Sequence, residues 1–506
     1  MAKYLYGAVV HGIQSFIFDT GKLKEIIGAS EFIEEICTTR FAAAVGKAFN
    51  PEQQIIGAAG KIQYLFEDKM ACQQFVYGFR RQIEEEVPGL SLAEAIVEVS
   101  GELLDKHIAR LEKQLAQERN NRAVPHGLGW MITERARRTG GNALAVTAID
   151  DDFVDRSQKT KEEASRNTTL LKKMVGEDAQ ELEKKAPKLF EDLIVDPDNS
   201  WIAVMHADGN NLGRIIQELK DHLTKSKNAQ LHEVLKRLSA QLDSATQQAA
   251  YQAYKRVIKP VYDKEQQERG KAYLPIRPVL LGGDDITVVI RGELALDFTA
   301  EFLRAFAIQT KQAFMPLVND YKLPMLSDGL TACAGISYIK VKYPFHYGVN
   351  LAESLCKQAK AHAKAINSER APSGLAFHRV QSSFVENYDR ILDRELKAGE
   401  VSFSFGPYFL DQQDGYDYNT IDQLQERVWQ MSRRDAPKAS VRTWLQELKL
   451  SPESAAQLMK RIRRMNPSYI QRLGLEDPKM RSRASKEGRK DVLLTHLYDT
   501  IALVSI

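Results

Sequence analysis

Three aspartates in this chain have the residue types and spacing to hold divalent metal. Asp284 and Asp285 follow a glycine pair in VLLGGDDITVVI (279–290). Apolar residues lead into Gly282-Gly283 and β-branched residues lead out, which predicts two strands joined by a tight hairpin with both carboxylates at or beside the turn. Adjacent carboxylates repel, and oxygen-only ligation favours Mg²⁺ or Mn²⁺. For these four residues alone, a solvated Asp-rich turn is the plainer alternative. Asp208 changes the weighting. In WIAVMHADGNNLGR (201–214) an apolar strand, Ile202 to Met205, runs into Asp208-Gly209-Asn210-Asn211 and then a helix start. A helix N-terminus accepts phosphate oxygens, and a carboxylate beside it suits a metal–triphosphate site. Carboxylates from two strands that can be neighbours are the arrangement two-metal nucleotidyl transfer requires.

A strand ending in Asp followed by a GGDD hairpin resembles the palm domain shared by GGDEF-type cyclases, class III nucleotide cyclases and family B-type polymerases. The wording HADGNNLG with LGGDD is similar to the large subunit of type III CRISPR effector complexes, the Cas-ten family, here Cmr-type and lacking the nuclease domain. The helix sequence KLKEIIGASEFIEEI (22–36) is also family-like. The resemblance implies two bound ions, Mg²⁺ or Mn²⁺. Asp208 and Asp285 would bridge them, and Asp284 would help bind the second ion or position a 3′-hydroxyl. Backbone N–H groups of Gly209, Asn210 and Asn211 would take β- and γ-phosphates, and Gly282 and Gly283 would let the hairpin approach the nucleotide without a Cβ in the way. Lys360 occupies the position from which a lysine reaches the triphosphate in GGDEF-type domains. Lys357 and Lys364, on neighbouring turns, read as a solvated face. The implied activity is conversion of ATP into a cyclic oligoadenylate-type second messenger. The implied partners are CRISPR RNA and target RNA within a multi-subunit ribonucleoprotein, together with other type III effector subunits.

The elements that must position these residues fall into an α+β chain of 506 residues, too long for one core. The expected architecture is two ferredoxin-like palm (nucleotide cyclase-like) domains with helical additions. Residues 1–100 form a degenerate palm, 101–199 a helical linker domain, 200–370 the active GGDD palm, and 371–506 a mainly helical C-terminal domain. The degenerate copy is read from an internal repeat. AVVHGI (8–13) parallels AVMHAD (203–208), and IIGAAGKI (55–62) parallels LLGGDDIT (280–287). In that alignment Ile13 falls at Asp208, and Ala59 and Gly60 fall at Asp284 and Asp285, so the first copy lacks every candidate ligand.

Composition excludes several other chemistries. Cys37, Cys72, Cys333 and Cys356 form no CxxC pair, which predicts neither a disulfide framework nor structural zinc and fits a reducing cytoplasm. In the family the region of Pro125 to Val146 often carries a cysteine zinc knuckle. Here TGGNALA (139–145) survives in outline without the cysteines. There is no GxSxG, HExxH or P-loop, no apolar run of 18 residues, and no membrane partner is expected. The chain starts at the first palm strand, so neither a histidine–aspartate nuclease domain nor DNase activity is expected. Asp221-His222 reads as a surface pair. Lys460 to Lys490 holds 11 cations against Glu476, Asp477 and Glu487. That cluster suits an RNA backbone, an acidic partner or plain solvent. Two further readings stand beside the effector subunit: a free-standing palm cyclase making a cyclic dinucleotide, and a non-catalytic RNA-complex scaffold.

Overall fold

The computed structural model describes residues 2–58, 60–101, 105–120, 132–146, 152–226, 231–381, 388–398, 401–414, 419–476 and 493–506. Ala59 of the repeat lies outside these residues, as do Pro125 to Met131. So do Lys479, Arg481, Arg483, Lys486, Arg489 and Lys490 of the basic run, with Asp477 and Glu487.

Four strands near the start of the chain, β1 (Lys3–Val10), β2 (Gln54–Ala58), β3 (Lys61–Phe66) and β4 (Leu92–Val99), form an antiparallel sheet in the order β2-β3-β1-β4. The short helix α1 (Ile13–Phe18) follows β1. Helices α2 (Leu23–Cys37) and α3 (Lys69–Glu86) contribute to a core of Tyr6, Phe41, Tyr64, Phe66, Phe75 and Phe79. Alternation along β1 sends Leu5 the other way, into a cluster with Val97, Val99, Leu111 and Leu115 of helix α4 (Asp105–Asn120). At Gly7 a Cβ would stand 2.8 Å from Leu111, so glycine lets α4 close onto the strand. Helix α4 thus lies on the first palm sheet, although it begins beyond residue 100.

The second sheet has six strands: β5 (Trp201–Gly209), β6 (Ile276–Gly282), β7 (Asp285–Arg291), β8 (Ala332–Lys340), β9 (Gly374–Arg379) and β10 (Tyr408–Phe409). Their order is β10-β9-β8-β5-β7-β6. Four of its strands, β6-β7-β5-β8, repeat the order β2-β3-β1-β4, with the hairpin at the edge in both copies. The sheet continues past residue 370, because β9 pairs parallel with β8 and carries the apolar residues Leu375, Ala376 and Phe377.

One detail of the repeat is corrected. In the second copy Asp208 faces Asp285 across the ladder. In the first, Val9 faces Lys61 at the matching rung, with Ala58 and Lys61 closing the hairpin as Gly282 and Asp285 close the other, whereas Ile13 already opens α1. Val9, not Ile13, therefore stands at the Asp208 position, and Gly60 and Lys61 stand at those of Asp284 and Asp285. The His-Gly/His-Ala match misaligned the copies because the two strands end at different distances from their histidines.

Helices α5 (Leu212–Ser226), α6 (Leu231–Ala253) and α7 (Ala295–Tyr321) contribute to a core with one face of the second sheet. Helix α8 (Phe345–Ile366) covers the other face, in a core continuous with that of the first palm. Strand β8 is buried along its length up to Lys340. No helix among the described residues is long and apolar enough to cross a membrane.

Candidate active site

Each aspartate takes its place from sheet register. Asp208 lies at the end of β5, Asp285 opens β7 directly opposite, and Asp284 fills the turn after Gly283. Gly283 has φ 62°, the left-handed region that glycine enters without a Cβ penalty. At Gly209 a Cβ would stand 2.9 Å from both Cβ and Oδ2 of Asp284, so this glycine admits the turn against the end of β5. One carboxylate oxygen from each of Asp208, Asp284 and Asp285 lies within 4.8 Å of the others.

The cation facing them is positioned by a second close approach. At Gly335 a Cβ would meet the Ala352 carbonyl at 1.9 Å, so only glycine lets α8 lie this near to β8. Successive turns of α8 then step along the strand. Cys356 Sγ donates to the Cys333 carbonyl at 3.2 Å, and Lys360 Nζ donates to Asp208 Oδ2 and, at 2.8 Å, to the Gly209 carbonyl. Lys357 and Lys364 are exposed.

Electrostatics show that three negative charges do not rest easily here. Two unit charges about 4.8 Å apart repel by about 3 kcal/mol at an effective dielectric constant of about 20. Burial, then the Asp208 charge, pushes the Asp284 carboxyl up to about 6. Burial, then Asp208 and Asp284, pushes Asp285 up to about 8, so it tends to keep its proton at neutral pH. The set fits Mg²⁺ or Mn²⁺ on chemical grounds: hard oxygen donors, excess negative charge and no sulfur or imidazole ligand. His206, two residues before Asp208, is held well clear of protonation. Burial pushes its pKa down to about 4, and its Nδ1 lies 3.0 Å from Thr287 Oγ1.

The anticipated phosphate loop fits less well. Asn210 is 2% exposed; its backbone N–H donates to the Thr331 carbonyl at 2.8 Å and its side chain to Thr331 Oγ1 at 3.0 Å. Its N–H is therefore already used, and Asn210 serves to tie β5 to the start of β8. Asn211 has φ 61° and donates from its side chain to the carbonyls of Ser368 (3.3 Å) and Glu369 (3.0 Å). Its own carbonyl accepts the first hydrogen bond of α5, from Ile215. Gly282 is uncrowded: a Cβ there would have Asp243 Oδ1 as its nearest neighbour, at 3.6 Å. Gly283 has open space around it.

Two groups have no signal in the hairpin itself. Asp243 Oδ1 accepts from the Gly283 N–H at 3.1 Å, and Thr246 Oγ1 donates to the Gly283 carbonyl at 2.6 Å. Both lie in α6, in the long amphipathic stretch between the two motifs. Beside Asp285 a cavity of about 230 Å³ runs between the palms, lined by His206, Thr287 and Glu353 on one side and Gln14, Phe18 and Ser30 on the other.

Residues 201–367 match the family model described as Cas10/Cmr2, second palm domain. No curated protein matches the chain. Among solved structures, a chain of a Csm1–Csm4 cassette in complex with cA3 is similar with a TM-score of 0.54 at 12% identity, covering 100% of this chain and 70% of that one. A Csm1–Csm4 cassette in complex with AMPPNP is similar with a TM-score of 0.48 at 13% identity, covering 99% and 69%. The first likeness establishes the shared fold.

Proposed function

We propose that this chain, a member of the Cas10 large-subunit family by its second palm, converts ATP into cyclic oligoadenylate as the signalling subunit of a type III CRISPR complex. The observation that carries the reading is the convergence of Asp208, Asp284 and Asp285 within 4.8 Å, with Lys360 beside them. The first palm has Val9, Gly60 and Lys61 at the corresponding places, so catalysis is assigned to the second palm. The likeness to a Csm1–Csm4 cassette in complex with cA3 supports this choice of product.

In this reading Asp208 and Asp285 would hold divalent ions from facing strands, and Asp284 would complete the set from the turn. Bound Mg²⁺ or Mn²⁺ would lower the pKa of the attacking 3′-hydroxyl and neutralise charge on the triphosphate. The 3′-oxygen loses its proton and bonds to the α-phosphorus of a second ATP, and pyrophosphate leaves. Lys360 exchanges its hold on Asp208 for a phosphate oxygen as nucleotide enters. Asn210 keeps the loop in place rather than binding phosphate through its N–H. The cavity beside Asp285 gives the rest of the nucleotide a water-poor space between the palms.

Release of pyrophosphate from ATP tests the reaction class. Release that requires Mg²⁺ or Mn²⁺ and stops on adding chelator is expected. Release that persists in excess chelator contradicts the metal-dependent reading.

A further inference from the structure

We propose that Asp243 and Thr246 of α6 are positioning residues of the nucleotidyl-transfer centre, gripping both backbone groups of Gly283 and so fixing Asp284 and Asp285. The inference rests on the function proposed above and assigns to that site a support which neither motif contains.

A two-residue turn at the edge of a sheet ordinarily leaves its peptide groups to water. Here β6 is the edge strand, yet both groups of Gly283 are taken by side chains one turn apart on a single helix. Neither side chain is loosely held. Asp243 Oδ2 accepts from Gln247 Nε2 at 2.7 Å, which leaves Oδ1 for Gly283. Thr246 is fully buried, and its hydroxyl also lies 2.9 Å from the Leu242 carbonyl. Helix α6 is itself fixed by Val234, Leu238, Leu242 and Ala249 in the core of the second palm.

The grip has an electrostatic purpose. Asp284 and Asp285 are pressed towards Asp208 against mutual repulsion, and a free hairpin tip would relax outward. A charge-assisted acceptor on the N–H and a donor on the carbonyl oppose that motion at both ends of one residue. Asp243 is not among the three carboxylates that converge, so its charge serves the turn.

The same helix also touches the first palm. Two turns before Asp243, on the same side of α6, Lys236 Nζ donates to the carbonyls of Glu52 (3.1 Å) and Pro51 (3.4 Å), just ahead of β2. One rigid element therefore bears on the hairpin edge of both palms, and the docking of the first palm can be felt at the turn of the second.

The test compares wild type with Asp243→Ala, Asp243→Asn, Thr246→Val and Thr246→Ser. It measures Mn²⁺ binding by electron paramagnetic resonance, and kcat and KM for ATP, with effector subunits and target RNA added where turnover requires them. Misplacing reacting groups by about 1 Å costs up to about a hundredfold in rate. Asp243→Ala and Thr246→Val are expected to weaken Mn²⁺ binding and lower kcat, each by about tenfold or more, with KM within about twofold. Asp243→Asn and Thr246→Ser keep an acceptor and a donor and are expected to recover most of both. If Asp243→Ala does not fold, the Thr246 pair decides. Wild-type Mn²⁺ affinity and kcat in folded Asp243→Ala or Thr246→Val overturn the positioning role while leaving the proposed function standing. A wild-type protein that binds no Mn²⁺ and turns over no ATP overturns both.

Discussion

Asp208 and Asp285 are directly opposed residues of neighbouring antiparallel strands, so their carboxylates converge because of backbone register rather than side-chain reach. The arrangement costs stability without a cation, and that cost is measurable.

Asp285 is the clearest instance. Its carboxyl is pushed up to about 8 by burial and by the two neighbouring charges. Asp285→Asn removes a half-buried ionisable group without changing its size. Product formation is expected to fall by at least about a thousandfold. The unfolding midpoint of the metal-free protein is expected to hold or rise at pH 8. Calorimetry beside a turnover assay checks both, and a large drop in the midpoint would place Asp285 in the structural core instead.

The pH dependence follows from the same pair. The folded-state pKa values of Asp284 and Asp285, about 6 and about 8, lie above the ordinary 3.8, so the folded protein binds more protons between about pH 4 and 8. Their contribution to stability is greatest at low pH and is lost as pH rises through 6 and 8. His206, His378 and His496 act in the opposite direction. Burial pushes them down to about 4, 4 and 3, so stability falls as pH drops below about 6.5. Metal-free unfolding midpoints are therefore expected to peak between these limbs. Asp285→Asn should flatten the alkaline limb. Added Mg²⁺ or Mn²⁺ should stabilise more at pH 8 than at pH 6, because at the lower pH it must displace protons.

Lys360 is a counter-charge to Asp208 in the metal-free protein. Lys360→Ala leaves three carboxylates without the ammonium that donates to Asp208 and to the Gly209 carbonyl. The metal-free midpoint is expected to fall, with Mg²⁺ restoring more of it than in wild type. The kcat/KM for ATP is expected to drop by about ten- to a hundredfold. An unchanged kcat/KM would reduce Lys360 to a structural ion-pair partner.

Away from the site, two buried groups of opposite charge attract across the palms without forming a direct ion pair. Arg277 on β6 is pushed down to about 10 by burial, offset by Glu31 of α2, whose carboxylate accepts the N–H groups of Thr169 and Leu170 at 3.1 Å. Glu31→Gln leaves Arg277 buried without its counter-charge and is expected to destabilise the chain by about 1–3 kcal/mol in denaturant unfolding. Activity should fall only where the palms separate. No loss of stability would show that water already compensates Arg277.

The convergence of Asp208, Asp284 and Asp285 was legible in the sequence because it sits where local rules are strong. A glycine turn between two β-branched runs gave the hairpin, and an apolar strand ending in Asp gave its partner. The duplicated palm was legible in outline, but its register was not, since matching His11 to His206 does not reveal where each strand stops. Local sequence leaves the N–H of Asn210 free for phosphate, yet a tertiary contact to Thr331 takes it, and nothing near Asn210 in the chain announces Thr331. Asp243 and Thr246 were invisible for the same reason. In an amphipathic helix about forty residues before the turn, they look like any polar face until folding brings them to Gly283. Strand β9 lies beyond a Pro/Gly/Ser stretch that reads as a boundary, and only its parallel pairing with β8 joins it to the palm.

The most direct test of the central claim is mass spectrometry of the products formed from ATP with Mg²⁺ or Mn²⁺. Wild type is compared with an Asp284→Ala/Asp285→Ala double variant, alone and with type III effector subunits plus target RNA. Wild type is expected to give cyclic oligoadenylate once effector subunits and target RNA are present, and the double variant none. Product from the isolated chain without RNA would instead indicate a free-standing cyclase. Equal product from the double variant, or no product and no nucleotide binding under any condition, would contradict the assignment of catalysis to these aspartates.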